Sequence, residues 1–104
     1  AHMTLENPAI LAMHGVKVAI CTDHPVIPVQ YLPLCAALAV RGGMPPEAAL
    51  AAITINAAEI AGIGHLVGSL TPGKQADIVV TSGHPLNVLS RVRAVFIGGR
   101  QVVG

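Results

Sequence analysis

A chain of 104 residues holds one modest domain, yet 53% of it is hydrophobic and only 11% charged, against roughly 25% charged in an average globular protein. A formal net charge of +1 from scattered basic residues, with Tyr31 and Phe96 as the only aromatics, excludes the electrostatic and stacking footprint of a nucleic-acid or anionic-membrane binder. No apolar run approaches the ~20 residues that span a bilayer.

So little charge implies that much of the surface is buried against something else, either a missing part of a larger protein or another copy in a homo-oligomer. Ala1-His2-Met3 reads as a remnant of an expression vector, and no signal peptide is visible. Cys21 and Cys35 lack C-x-x-C spacing, so a reduced, cytoplasmic setting is the simplest expectation.

In chain order, residues 7–14 read as the end of a helix, with Asn7 as cap, Pro8 in the first turn and Gly15 as the stop. His14 falls in the last turn, where a protonated imidazole would favour the helix dipole. Residues 16–21 form a short, nearly unbroken apolar run rich in β-branched side chains. Such a run predicts a strand covered on both faces, as in a parallel sheet or barrel. Polarity then switches abruptly to Thr22, Asp23 and His24. Asp23 has two readings: a turn or helix-capping residue, or the acid that α/β enzymes keep at the carboxyl end of a buried strand. His24 points to the other side if the strand alternation continues, and reads either as a substrate contact or as a loop histidine.

Residues 29–41 predict a helix that is apolar nearly all round, tolerates Pro33 in its first turn and stops at Gly42-Gly43. A second helix opens at Pro45-Pro46-Glu47 with an apolar stripe of Leu50, Ile53, Ala57 and Ile60. Thr54 and Asn56 interrupt that stripe, and either can cap a new short helix, so a break is expected at 54–56. Glu59 reads as part of a solvated face. From Gly62 onward glycines punctuate β-branched segments, which predicts strands at 78–80, 92–97 and 101–103, with Gly98-Gly99 as a tight hairpin. Thr71-Pro72-Gly73-Lys74 fits a type II turn. The G-x-x-x-x-G-K-[ST] spacing that would make Lys74 a phosphate ligand is absent. Asp77 reads as structural, and His65 and His84 as ordinary loop residues.

Three pieces together resemble a known family: Thr22-Asp23 at the strand end, Thr54-Ile55-Asn56-Ala57-Ala58, and Gly68 with Pro72-Gly73-Lys74 and Ala76-Asp77. They are similar to the C-terminal part of metal-dependent amidohydrolases, above all the imidazolonepropionase-like members, over residues 7–104. The resemblance implies an α/β fragment: the last strand and helices of a (β/α)8 metallo-hydrolase barrel at 4–62, and strands of the accompanying small β-sandwich at 63–104. It implies that Asp23 is both the catalytic carboxylate and a ligand of the active-site metal, while the family's histidine ligands lie outside these residues. For the parent protein it implies hydrolysis of a C–N bond in a small amide, cyclic amide or amidine, with zinc, or else iron or manganese, as the divalent metal. Such a metal lowers the pKa of its water from ~15.7 towards ~7, and a carboxylate suits the transfer of its proton to the leaving nitrogen. The 104-residue chain alone is expected to be inactive and without its metal. The alternative of another class is a non-catalytic packing or oligomerisation module.

Overall fold

A computed structural model describes residues 7–22 and 29–104. Helix α1 (Asn7–Met13) leads into an extended segment, residues 16–22. A 3-10 turn, Val29–Tyr31, then opens α2 (Leu32–Arg41), which is followed by α3 (Pro46–Ala52) and α4 (Ile55–Ile60). Three strands close the chain: β1 (Ile78–Thr81), β2 (Val92–Ile97) and β3 (Arg100–Val103).

Helices α1, α2 and α4 end in the same way, and their sequences say why. Gly15, Gly43 and Gly62 take φ of 77°, 113° and 83°, a conformation that carries no Cβ penalty only in glycine. Each glycine N–H donates to a carbonyl three residues back (Ala12, Val40, Glu59), and the next residue donates to one five back (Leu11, Ala39, Ala58). This paired pattern is the Schellman motif, which satisfies two of the carbonyls a helix end leaves unpaired.

The core is small and built largely from alanine: Ala9, Ala36, Ala39, Ala49 and Ala52, with Val18, Met44 and Leu86. Side chains this short let α1, α2 and α3 approach closely around Val18. Residues 78–80, 92–97 and 101–103 form strands as the β-branched runs predict, joined antiparallel in the order β1-β2-β3. Ile97 pairs with Arg100 across the two-residue Gly98-Gly99 turn. Lys74 N–H closes the turn at Thr71 carbonyl, with Gly73 at φ 92°, as a type II turn requires.

In two places the chain leaves uncovered what its apolar runs could bury. Residues 16–21 are not laddered into a sheet among the described residues, because no neighbouring strand exists there to pair with. From Lys17 the segment keeps a strand's two-residue alternation but is covered on one face only: Val18, Ile20 and Thr22 face inward, while Lys17, Ala19 and Cys21 are exposed, as is Val16 at its start. Helix α2 likewise buries Ala36 and Ala39 but leaves Leu34 and Leu38 exposed. Uniform apolarity marks what a helix can bury, and here only one side meets a partner.

Gly68 packs closely against α4. A Cβ at this position would lie 2.9 Å from the Ala58 Cβ and 3.0 Å from the Ile55 Cα, on a backbone with φ of 102°. Gly68→Ala combines overpacking with left-handed strain and should destabilise by roughly 2–4 kcal/mol, lowering Tm by about 10 °C or more. Gly73→Ala, with nothing within 4 Å at φ 92°, should cost about 1–2 kcal/mol from strain alone. Thermal unfolding of the two variants checks the difference, and equal losses would refute the packing argument.

Val79, Val95 and Val103 are aligned across the sheet on one face, with Val79 and Val103 exposed beside Ile97. Open strands and uncovered apolar faces recruit other chains. Light scattering over a tenfold concentration range should therefore show the isolated chain self-associating. A concentration-independent monomer would contradict this.

Candidate functional site

The site is built on residues 16–22, and the chain holds that segment at four successive places. The Schellman bond from Val16 N–H to the Leu11 carbonyl, 3.0 Å, sets where it starts. Lys17 Nζ pairs with Glu59 Oε1 at 3.0 Å, both side chains being about half exposed, which contributes ~0.5 kcal/mol. Asn56 Nδ2 donates to the Val18 carbonyl at 3.2 Å. Ile20 N–H donates to the Ala52 carbonyl at 3.1 Å.

The α3–α4 junction has the chemistry to do this because α3 stops at Ala52. Of its last carbonyls, Leu50 accepts Ile53 N–H and the Thr54 hydroxyl, the latter at 2.7 Å, and Ala51 accepts Thr54 N–H. The Ala52 carbonyl accepts Ile20 N–H. Thr54 stands at the N-cap position of α4 without a side-chain capping bond, since its hydroxyl turns back to Leu50. Asn56 spends its amide on Val18. The break falls where these two residues interrupt the apolar stripe, but neither side chain caps the new helix. Their chemistry serves the helix behind and the segment beside it.

Thr22, the last described residue of the segment, is buried at 5% exposure. Asp23 and His24 lie outside the described residues. The other candidates stand apart. Exposed His14 follows the last residue of α1, just outside the turn in which the dipole argument put it. His65 is exposed in the loop after α4. His84 Nδ1 accepts Leu86 N–H at 3.1 Å, so that nitrogen is occupied; the residue lines an open groove with Ala37, Val40 and Pro46. Lys74 Nζ donates to Ser69 Oγ at 2.8 Å. Asp77 Oδ1 accepts Gly98 N–H at 2.8 Å and also takes a bond from Gln75. That ties the hairpin turn to the start of β1, a structural role for Asp77. Glu59 lies on an exposed helical face, partnered by Lys17.

What the sequence left unseen is Asn56. In the sequence it is a possible cap and part of the Thr54–Ala58 motif, and nothing local identifies a partner 38 residues away. Among the described residues no three His, Cys, Asp or Glu side chains gather to hold a metal ion, and no helix is long and apolar enough to cross a membrane.

Comparison with known proteins adds the family. The chain matches the model of the amidohydrolase family over residues 5–102. It is 54% identical over 69 residues to an imidazolonepropionase from Geobacillus kaustophilus (strain HTA426), which covers 64% of this chain and 16% of that protein. Adenine deaminase 1 from Desulfotalea psychrophila (strain LSv54 / DSM 12343) is 40% identical over 68 residues, 62% of this chain and 11% of its own length. The crystal structure of an amidohydrolase from Thermotoga maritima MSB8 aligns with a TM-score of 0.91 at 44% identity, over 96% of this chain and 26% of that one. The chain thus spans about a quarter or less of the proteins it matches.

A catalytic zinc site usually takes three protein ligands and a water, and the described residues offer no such set. The isolated chain should therefore keep no stoichiometric metal through dialysis against metal-free buffer. Elemental analysis is the check, and a tightly held equivalent of zinc would mean that the histidines form a site after all.

Proposed function

The chain belongs to the amidohydrolase family, and from that premise we propose that it is the C-terminal part of a hydrolase of carbon–nitrogen bonds. In this reading the substrate is a small molecule of the cyclic amide or amidine type, as the names of the imidazolonepropionase and adenine deaminase relatives suggest. Asp23 is the carboxylate that moves the proton. The observation that carries the reading is the match over residues 5–102, with Asp23 immediately following an anchored segment that ends in buried Thr22.

Water adds to the carbon of the scissile C–N bond. The Asp23 carboxylate accepts the proton lost by that water and delivers it to the departing nitrogen, so one residue serves as base and then as acid. His24 contacts the substrate beside it. The divalent metal of this proposal, zinc before iron or manganese, has no ligand set among the described residues. Apart from Asp23, its ligands would come from outside this chain. Residues 4–62 are the end of the barrel in this proposal, and 63–104 part of the accompanying β-sandwich. A cytoplasmic location accords with free Cys21 and Cys35.

For the isolated chain a second reading has its own support. The exposed apolar side chains of α1, α2 and the sheet suit a packing or oligomerisation module, inactive by itself.

In the full-length protein Asp23→Asn keeps the shape but removes the proton acceptor, and should lower kcat roughly 10²–10⁴-fold. Asp77→Asn should leave kcat nearly intact and lower Tm by a few degrees, because Asp77 only pins the hairpin. Steady-state kinetics and thermal unfolding of both variants check the assignment. Equal losses of kcat would refute it.

A further inference from the structure

We propose that His84 is a pH-sensitive latch. While its imidazole is neutral it holds the loop between β1 and β2 closed, with Leu86 seated against the helices, and on protonation it lets go. The inference goes beyond the functional reading above and does not depend on it.

The loop, residues 82–91, is braced within itself. Ser82 N–H donates to the Arg91 carbonyl and Arg91 N–H to Ser82 Oγ, both at 2.9 Å, which closes its neck. Inside, Asn87 N–H donates to the His84 carbonyl at 3.0 Å and Ser90 N–H to the Asn87 carbonyl at 2.9 Å. Two side chains complete the frame by accepting a backbone N–H two residues on. Asn87 Oδ1 takes Leu89 N–H at 2.9 Å, and His84 Nδ1 takes Leu86 N–H at 3.1 Å. The first is an Asx turn. The second puts a ring nitrogen where an Asx turn has a carbonyl oxygen. An amide oxygen keeps its lone pairs at every ordinary pH, whereas an imidazole nitrogen does not.

The residue held by that nitrogen is the one that joins the loop to the helices. Leu86 is 9% exposed and, among the described residues, is the only member of the core cluster that follows Ala52 in the sequence. Strands and helices have little direct contact with each other, so the seat of Leu86 is where this loop meets them. The arrangement is that of a much longer chain, since it aligns over 96% of this one with the Thermotoga maritima amidohydrolase at a TM-score of 0.91.

The bond answers to the ring's own proton. Exposed His84 lies in an open groove with Ala37 and Val40 of α2, Pro46 of α3, and Leu86 and Asn87 of the loop, none of which titrates. Arg41 at the end of α2 and Glu47 in the first turn of α3 are exposed, opposite in sign and outside that lining. Strand β1 carries no charged residue, and Arg91 stands at the neck. Nδ1 accepts only while the ring is neutral with its proton on Nε2. Imidazolium carries a proton on both nitrogens, so N–H would face N–H and the Leu86 amide would lose its acceptor. The open loop takes up a proton that the closed loop excludes, so the latch is shut above the range in which histidine titrates and loosens as pH falls through it.

The test follows amide hydrogen exchange of the full-length protein by mass spectrometry between about pH 7.5 and about pH 5, corrected for the intrinsic pH dependence of exchange. The Leu86 amide, read in the peptide covering residues 84–89, should lose protection about fivefold across that range, the weight of one net hydrogen bond. The peptide covering β2 should stay protected. His84→Asn supplies an acceptor at the same two-residue spacing that this pH range does not remove, and its loop should stay protected throughout. His84→Phe keeps a ring without an acceptor, and its loop should be as open at the upper pH as the wild type is at the lower. Constant protection in the wild type would overturn the proposal. So would a loss in His84→Asn, which would assign the effect to another group such as His14 or His65, or a parallel loss in β2, which would make it general unfolding. Should His84→Phe fail to fold, the wild-type series and His84→Asn decide the matter by themselves.

Discussion

An extended stretch of chain inside a protein has to place its backbone donors and acceptors somewhere, and among the described residues the partners of 16–22 are not strands. The end of α3 and the first turn of α4 take that part, one with a carbonyl that the finished helix leaves over and one with an amide side chain. Had α3 continued through Thr54 and Ile55, Ala52 would have kept its carbonyl for itself. The break between the two helices is therefore what makes the anchorage possible. The side chains of Thr54 and Asn56 sustain that break by bonding away from α4.

The alanine-rich core follows from the same need. Holding a helix junction against a backbone segment requires close approach, which Ala49 and Ala52, both at 0% exposure, permit. Larger side chains would push α3 away from Val18 and stretch the bond at Ile20. Close approach through alanine buries little area per residue, so the hydrophobic stabilisation is modest. The larger side chains, Leu34 and Leu38 on α2, Ile60 on α4, Val79 and Val103 on the sheet, stay exposed. The chain aligns with about a quarter of an amidohydrolase of known structure.

Local chemistry was legible in the sequence, and long-range chemistry was not. Gly15 and Gly43 mark helix ends in the sequence because the conformation they supply is local, and Gly62 ends α4 in the same way. The β2–β3 hairpin is legible for the same reason, from two β-branched runs flanking Gly98-Gly99. The motif pieces placed the chain in its family, which the match over residues 5–102 bears out. Periodicity located the break at Thr54 but misjudged what the polar side chains do there, because a cap and a long-range anchor call for the same residue types. The cover that the apolar runs at 16–21 and on α2 imply exceeds what these residues alone supply. An apolar run records how much a segment can bury, not how many partners it has. Asp23, the centre of the sequence argument, follows the last described residue of the segment, so its part in the chemistry stays a proposal.

The anchors also differ from the hairpins in how much chain they enclose. Lys17–Glu59 and Val18–Asn56 join residues 42 and 38 positions apart, whereas the β-strands pair with their sequence neighbours. Closing a loop of that length costs about 3 kcal/mol of chain entropy, more than any one of these contacts returns. Once one of them closes the loop, its neighbours form across a gap of a few residues at little further entropic cost. The contacts between residues 17–20 and the α3–α4 junction should accordingly make and break as a unit. The sheet can assemble strand by strand, but this hold is present whole or not at all.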